Sequence, residues 1–184
     1  MPCKNWKYSV AKNKRLFFAL WPDKGVRRHL ANLQTILPQA QGNWVHPMDL
    51  HITLQFLGSV PSNQQNCIRE AANAIQAFPF ELEISRLDFW PKPRIAWAGP
   101  EQTPAELLEL AKSLSQNLQE CGFEPEKRLY QPHVTLLRKT TPNMAIELPE
   151  PISWPVNEFV LVESCPGGEP PWYKVIEHWP LVKE

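Results

Sequence analysis

The stretch His51-Ile52-Thr53-Leu54 recurs almost unchanged as His133-Val134-Thr135-Leu136. Apolar and β-branched residues surround both copies, which is typical of β-strands. Because side chains alternate between the two faces of a strand, the histidine and threonine of each motif share one face. We therefore expect two strands that each pack an apolar face on a core and present an imidazole and a hydroxyl on the other.

The repetition of the motif indicates a functional site. By chance, one such four-residue motif is expected in fewer than about one chain of this size in a hundred. Two copies in one chain are therefore improbable. The alternative is a structural repeat preserved for packing. Packing needs the apolar residues, however, and not a histidine and a threonine on the opposite face. Such a polar face is either solvated or lines a cleft.

Two histidines and two hydroxyls suit acid–base chemistry on a phosphate. An unperturbed histidine has a pKa of about 6.5, so one copy can act as a neutral base while the other acts as an acid. Threonine hydroxyls can donate hydrogen bonds to phosphate oxygens without adding charge. Such a pair can cleave an activated phosphodiester with no metal and no organic cofactor. A zinc site is the weaker interpretation, because no cysteine or carboxylate shares the motifs.

Other side chains are candidates for the same cleft. Arg138, two residues after Leu136, is expected on the face of the second motif's histidine if the strand continues, where a guanidinium could clamp a phosphate. A surface arginine at a strand end is the alternative. His46 either approaches the cleft or lies in a surface loop. The aromatic candidates for stacking on a base, each of which could instead belong to the core, are Phe17, Phe18, Trp44 and Trp97.

Composition limits the partners and the compartment. The 184 residues suffice for one domain, and 19 basic residues balance 19 acidic ones, which disfavours a long nucleic-acid duplex as partner. The four cysteines show no metal or redox spacing, so we expect free thiols in a reducing cytoplasm rather than a disulfide. No signal peptide or membrane-spanning run is visible. We expect a soluble, cytoplasmic monomer that does not bind a membrane.

The remaining pattern predicts an α+β fold. Each half contains a helix and a motif strand, which suggests two pseudo-symmetric lobes, each a small, mainly antiparallel sheet with helices on its outer face, and a cleft between the lobes. Residues 1–14 are expected to form a loose tail and residues 15–184 a single bilobal domain. A proline-rich connection is expected before a strand near Val156–Glu163. Helix starts are predicted from capping residues at Asp23 and Thr103, and a further helix is expected to begin at Ser62.

Four blocks of sequence carry a resemblance to a known family: residues 15–22 (RLFFALWP), 44–58 with Trp44-Val45 and DLHITLQFLG, 93–99 (PRIAWAG) and 132–138 (PHVTLLR). Together they resemble the 2H phosphoesterases, and within them the RNA 2′,3′-cyclic phosphodiesterases of the LigT/ThpR type. The resemblance implies two α+β lobes around a cleft. It also implies metal-independent hydrolysis of a 2′,3′-cyclic phosphate at an RNA end to a 2′-phosphomonoester, with the joining of tRNA halves through a 2′–5′ bond as the reverse chemistry.

The resemblance also implies a role for each site residue. His51 would be the proton donor to the departing 3′-oxygen, and His133 would accept a proton from the attacking water. Thr53, Thr135 and Arg138 would bind the phosphate oxygens. The partner would be an RNA with a 2′,3′-cyclic phosphate terminus.

Three alternatives stay open from the sequence. The chain could act on small cyclic nucleotides or ADP-ribose cyclic phosphate, it could act mainly as a ligase, or it could be a non-catalytic module that binds RNA ends. One departure from the family pattern is Asn43, which stands where many members carry an arginine. If that arginine helps to hold RNA, binding here should be weaker or differently specific.

Overall fold

A nine-stranded antiparallel sheet and three α-helices make up the computed structural model, which describes residues 13–36, 41–140 and 146–182. The strands are β1 (Lys14–Leu20), β2 (Asn43–Trp44), β3 (Ile52–Val60), β4 (Phe80–Trp90), β5 (Ile95–Gly99), β6 (Val134–Arg138), β7 (Ile146–Val156), β8 (Glu158–Ser164) and β9 (Tyr173–Pro180). The helices are α1 (Lys24–Leu33), α2 (Gln65–Asn73) and α3 (Ala105–Gln119). Of the expected tail, residues 1–12 lie outside the described residues, and Lys14 already belongs to β1.

The sheet consists of two halves that meet at the motif strands. Its order is β7-β4-β5-β6-β3-β1-β8-β9, and β2 pairs with β6 beside this path. Strands β3 and β6 are joined through one residue pair, Ile52 with Val134. The first motif strand therefore begins one half of the sheet and the second motif strand begins the other, which is the pseudo-symmetry expected from the repeat.

The helices cover one face of the sheet, here called the helix face, and leave the opposite face, the cleft face, open. Strand β1 shows the division: Leu16, Phe18 and Leu20 join the large core under the helices, whereas Phe17 and Ala19 belong to a small cluster on the cleft face. This is the alternation that a strand imposes on successive side chains. No helix in the described ranges is long and apolar enough to cross a membrane.

The structure tests the three predicted helix starts. At Ser62 the chain forms a short 3-10 turn, Ser62–Gln64, and α2 begins only at Gln65. The Asp23 carboxylate accepts a hydrogen bond from the Val26 amide at 2.8 Å, so the predicted N-cap of α1 is confirmed. The predicted Thr103 cap of α3 is wrong. Pro104 occupies the N-cap position and no side chain caps the helix, because α3 begins one residue too late for the Thr103 hydroxyl to reach its first free amides.

The expected proline-rich connection is a strand. Residues 146–156 form β7, which pairs with β4 at the end of the sheet. Proline cannot donate a ladder hydrogen bond, but an edge strand directs every second amide away from its neighbour. Pro155 pairs with Glu81 at this edge, and Pro151 lies in the irregular stretch between the pairs Ile84–Ile152 and Arg86–Glu147. Ile152 and Trp154 are buried.

The expectation of free cysteines is also wrong. Cys67 on α2 forms a disulfide with Cys121, two residues after the end of α3, with their Cα atoms 5.7 Å apart. Cys165 is disulfide-bonded as well, and the described residues contain no free cysteine. Cys67 and Cys121 are 54 residues apart in sequence and meet because α2 packs against α3, which their spacing does not reveal. The cysteines therefore give no support to a reducing compartment.

Candidate active site

The two motif histidines lie at the junction of the two halves, on the cleft face. Each one directly precedes a strand, His51 before β3 and His133 before β6. Ile52 and Val134 are fully buried in the core under the helices. Since neighbouring residues point to opposite sides, both histidines are directed to the cleft face.

The His51 imidazole is held at both ring nitrogens. Nδ1 lies 2.6 Å from the carbonyl oxygen of Asp49, and Nε2 lies 3.1 Å from the Thr53 hydroxyl. A carbonyl oxygen only accepts, so Nδ1 carries a proton and donates it. In the neutral ring Nε2 is then an acceptor for the Thr53 hydroxyl. The nitrogen left for proton transfer is Nε2.

Three aromatic rings enclose His51. The Phe17 and Tyr173 rings lie 4.9 and 5.2 Å from its centroid, and the Trp21 indole stacks on it at 5.6 Å. Burial among these rings lowers the pKa of His51 to about 4, because desolvation disfavours the charged imidazolium. The hydrogen bond to the Asp49 carbonyl opposes this shift, and the positive charges of Arg138 and His133 add to it. His51 is therefore neutral at pH 7 in the free protein.

His133 repeats the arrangement on the other half. Its Nδ1 lies 2.9 Å from the carbonyl oxygen of Gln131, again two residues earlier in the chain, so the proton is again on Nδ1. The Trp90 ring meets it edge to face at 4.5 Å, and Trp97 lies beyond at 6.2 Å. Burial lowers the pKa of His133; the Gln131 hydrogen bond opposes this, and the Arg138 charge adds to it. Both halves thus present a histidine with a fixed tautomer.

Arg138 reaches the histidines through an irregularity in β6. Strict alternation would direct it to the helix face with Val134 and Leu136, so the expectation from the sequence requires a break in the pattern. The pairing with β5 supplies it, because Trp97 pairs with Thr135 and Ala96 pairs with Leu137, which leaves Leu136 as a bulge. The charge of Arg138 then acts on both histidines. Within the described residues Arg138 is exposed and forms no salt bridge.

The aromatic candidates for stacking differ in which face of the sheet they occupy and in how exposed they are. Phe18 is fully buried on the helix face between Phe159 and Trp179, so its prediction as a stacking surface is wrong. Phe17 and Trp97 are on the cleft face but only 3% and 1% exposed, so they support the histidines and offer no free ring face. Trp44 on β2 is 40% exposed and pairs with Leu137 beside Arg138, so it stays a candidate.

Three further residues at this site were not predicted from the sequence. Asp49 is buried, and its carboxylate accepts from the backbone amides of residues 172 and 173. The Tyr130 hydroxyl donates to the Thr53 carbonyl oxygen at 3.1 Å and so connects the segment before His133 to the first motif. Phe56, five residues after His51, is half-exposed, and the Arg15 guanidinium lies 4.8 Å from its centroid. The sequence shows Phe56 as an apolar residue inside the first motif strand. Which face of the sheet its side chain occupies depends on bulges in the β1–β3 pairing, and these are not visible in the sequence.

The remaining histidine near the motif has a local role. His46 Nδ1 accepts from the Met48 amide at 3.2 Å and caps the short turn Pro47–Asp49. It is therefore a loop residue, the alternative stated above. Across residues 13–36, 41–140 and 146–182, no group of three or more His, Cys, Asp or Glu side chains could hold a metal ion.

Comparisons with known proteins find similarity over nearly the whole chain. The model of the 2′-5′ RNA ligase superfamily matches residues 22–165. An RNA 2′,3′-cyclic phosphodiesterase of Escherichia coli (strain K12) is 29% identical over 178 residues, which are 95% of this chain and 100% of that protein. An RNA 2′,3′-cyclic phosphodiesterase of Methanothermobacter thermautotrophicus is 34% identical over 145 residues, 74% of this chain and 77% of that protein.

The fold has a close counterpart among solved structures. The crystal structure of E. coli LigT complexed with 3′-AMP is similar with a TM-score of 0.86 at 28% identity, and the match covers 94% of this chain and 100% of that one. The α+β fold with two pseudo-symmetric lobes, expected from the repeated motifs and the family resemblance, is confirmed.

Proposed function

Because the chain belongs to the 2′-5′ RNA ligase superfamily, we propose that it hydrolyses the 2′,3′-cyclic phosphodiester at an RNA end to a 2′-phosphomonoester. The observation that carries this proposal is the pair of cleft histidines, each with Nδ1 bonded to a carbonyl oxygen two residues earlier. Both Nε2 atoms are thereby left for proton transfer on either side of one phosphate. The relatives named as RNA 2′,3′-cyclic phosphodiesterases support the choice of substrate.

The reaction assigns one proton transfer to each histidine. Water attacks phosphorus, a new P–O bond forms, and Nε2 of His133 accepts the proton that the water loses. The P–O3′ bond breaks, and a protonated Nε2 of His51 donates its proton to the departing 3′-oxygen. The Thr53 and Thr135 hydroxyls donate to the non-bridging oxygens, and Arg138 balances their charge.

The pKa of His51 bears on this assignment. With a pKa of about 4, His51 is neutral in the free protein at pH 7 and must gain its proton when substrate binds. An anionic phosphate beside the ring favours the imidazolium and offsets the repulsion from Arg138. Arg138 has no salt-bridge partner in the described part of the chain, so a bound phosphate can take its charge. The acid role of His51 therefore depends on the substrate's own charge.

Recognition of RNA is expected to be limited to its end. The chain has no net charge, so affinity for a long backbone should be weak. Exposed aromatic faces at Trp44 and Phe56 are available for stacking on bases near the reacting phosphate. Asn43, which pairs with Arg138, supplies no charge of its own at this position.

Phosphorus NMR of an oligoribonucleotide with a 2′,3′-cyclic phosphate end tests the proposal. The cyclic resonance should disappear and a 2′-phosphomonoester resonance should replace it, with the same rate in EDTA. Persistence of the cyclic resonance during prolonged incubation, despite tight binding, would instead support a non-catalytic RNA-end module. Faster turnover of a cyclic mononucleotide than of the oligonucleotide would favour a small-molecule substrate.

Two further expectations accompany the proposal. A monomer should give a single species of 21.2 kDa in sedimentation equilibrium. A cytoplasmic location is also proposed, although the disulfide between Cys67 and Cys121 does not favour a reducing compartment. Cell fractionation with an antibody to the chain would decide the location.

A further inference from the structure

Asp49 is the one charged side chain that is buried among the described residues, at 2% exposure, and the acid–base reaction does not use it. It ends a short turn, Pro47–Asp49, two residues before His51. A charged group is costly to bury unless its hydrogen-bonding capacity is met, so its surroundings show what it contributes.

The carboxylate of Asp49 forms a two-point clamp on a distant segment. Oδ2 accepts from the Trp172 amide at 2.9 Å, and Oδ1 accepts from the Tyr173 amide at 3.1 Å. These donors are 123 and 124 residues away in the sequence, at the start of β9. Two acceptor oxygens are what a carboxylate offers and what a neutral amide cannot.

The other contacts of the same residue lead to His51. Its backbone carbonyl oxygen accepts the Nδ1 proton at 2.6 Å. Its carboxylate holds the backbone of Tyr173, whose ring meets His51 edge to face at 5.2 Å and Phe17 at 5.1 Å. Residue 49 thus determines the tautomer of His51 through its backbone and encloses the ring through its side chain.

From this geometry we infer that Asp49 is a positioning residue, which holds His51 Nε2 toward the phosphate by clamping the Tyr173 ring against the imidazole. The inference rests on the proposed function only in that His51 is taken to transfer a proton. The titratable and charged groups around His51 are Arg138 and His133 across the cleft, Tyr173 on β9, Asp49 itself, and Arg27, which lies behind the Trp21 ring. Burial is the largest cause of the lowered His51 pKa, so loosening the clamp acts on that pKa through exposure of the ring.

The test is Asp49→Asn, followed by histidine NMR and steady-state kinetics. The amide places an NH2 group against a backbone N–H, so one clamp bond is lost and water reaches His51. The pKa of His51 should rise from about 4 toward 6.5, and kcat should fall about tenfold or more. The KM should stay at the parental value, because Thr53, Thr135 and Arg138 are unchanged.

Glu177→Gln is the matched control on the same strand. It removes the Arg69–Glu177 ion pair, 2.6 Å long, that anchors β9 to α2, without touching the Asp49 clamp. This variant should keep the parental His51 pKa and kcat. If it shifts them as much as Asp49→Asn does, any loosening of β9 suffices and the inference is overturned.

A second variant covers the case in which Asp49→Asn does not fold. Tyr173→Ala keeps both backbone bonds to Asp49 but removes the ring, so it should also raise the His51 pKa. A parental His51 pKa in Tyr173→Ala, or in a folded Asp49→Asn, overturns the inference. The NMR measurement needs no turnover, so failure of the proposed function would show separately, as absence of product from the parent chain.

Discussion

Ile52 and Val134 pair with each other across the middle of the sheet, and each of them directly follows a cleft histidine. His51 and Thr53 flank Ile52 in the chain, and His133 and Thr135 flank Val134. The four polar residues therefore adjoin one point of the sheet, on the face opposite to Ile52 and Val134. A phosphate at that point could contact all four side chains, which relates the repeat in the sequence to a single site.

Replacing either histidine should remove most of the activity. A positioned acid or base contributes about 10²- to 10⁴-fold, so His51→Ala and His133→Ala should each lower kcat by that order. The double variant should lose far less than the product of the two effects, because the histidines act on the same phosphate. His29→Ala, on the exposed side of α1, should keep the parental kcat. Full activity in either motif variant would exclude the proposed mechanism.

A bound dianion should raise the pKa of His51. In the free protein burial and the charges of Arg138 and His133 hold this pKa at about 4. Sulfate in the cleft favours the imidazolium and should move the His51 titration toward higher pH in histidine NMR. Chloride at matched ionic strength is the control for screening. The acid role assigned to His51 would be contradicted by an identical titration in the two salts.

Loss of the Arg138 charge should weaken substrate binding and raise the pKa values of both cleft histidines. Arg138→Gln removes a cation that has no salt-bridge partner among the described residues, so KM for a cyclic-phosphate substrate should rise by about tenfold. The same change removes a repulsive charge, so the pKa values of His51 and His133 should both rise. Arg28→Gln, an exposed position on α1, should change neither quantity. An unchanged KM would indicate that Arg138 does not contact the phosphate.

Features that depend on neighbouring residues could be predicted from the sequence. Strand alternation correctly assigned the faces of both motifs, and the Asp23 cap follows from a contact three residues along the chain. The position of Arg138 on the cleft face depends on a bulge at Leu136, which arises from pairing with β5 and has no signature in β6 itself.

Features that depend on distant residues could not be predicted. The Asp49 clamp closes over 123 residues and the Cys67–Cys121 bond over 54, so neither leaves a local pattern. The prolines of β7 gave a misleading signal, because proline is compatible with a strand only at an edge, and edges are a property of the assembled sheet. Phe17 and Phe18 are adjacent aromatic residues that point to opposite faces of the sheet. Only this difference in face places Phe17 beside His51 and Phe18 in the core.

The Cys67–Cys121 disulfide should stabilise the fold without affecting catalysis. Crosslinking residues 54 apart lowers the entropy of the unfolded chain, worth about 4 kcal/mol in the loop-closure description. The double variant Cys67→Ser and Cys121→Ser should therefore unfold at lower urea concentration, with kcat at the parental value because α2 and α3 lie on the helix face. Reduction of the parent chain should reproduce much of this loss. Equal urea midpoints for parent and double variant would show that the bond does not form in solution.

His51 should make the fold less stable in mild acid. Its pKa is about 4 in the folded chain against 6.5 for an ordinary histidine, so below pH 6.5 the unfolded chain binds more protons and unfolding becomes easier. The contribution of neutral, buried His51 to the free energy of unfolding is fully present above pH 6.5. It is lost as the pH falls from 6.5 to 4, and the total loss is no more than about 3 kcal/mol. In urea unfolding at pH 7 and pH 4, His51→Gln should lose less stability between the two values than the parent. The two chains differ only at residue 51, so contributions common to both cancel in this difference, and the exposed substitution His29→Gln is the matched control. Equal losses in the parent and His51→Gln would mean that the imidazole is hydrated in solution, and the enclosure by Phe17, Trp21 and Tyr173 would then be too loose to lower its pKa.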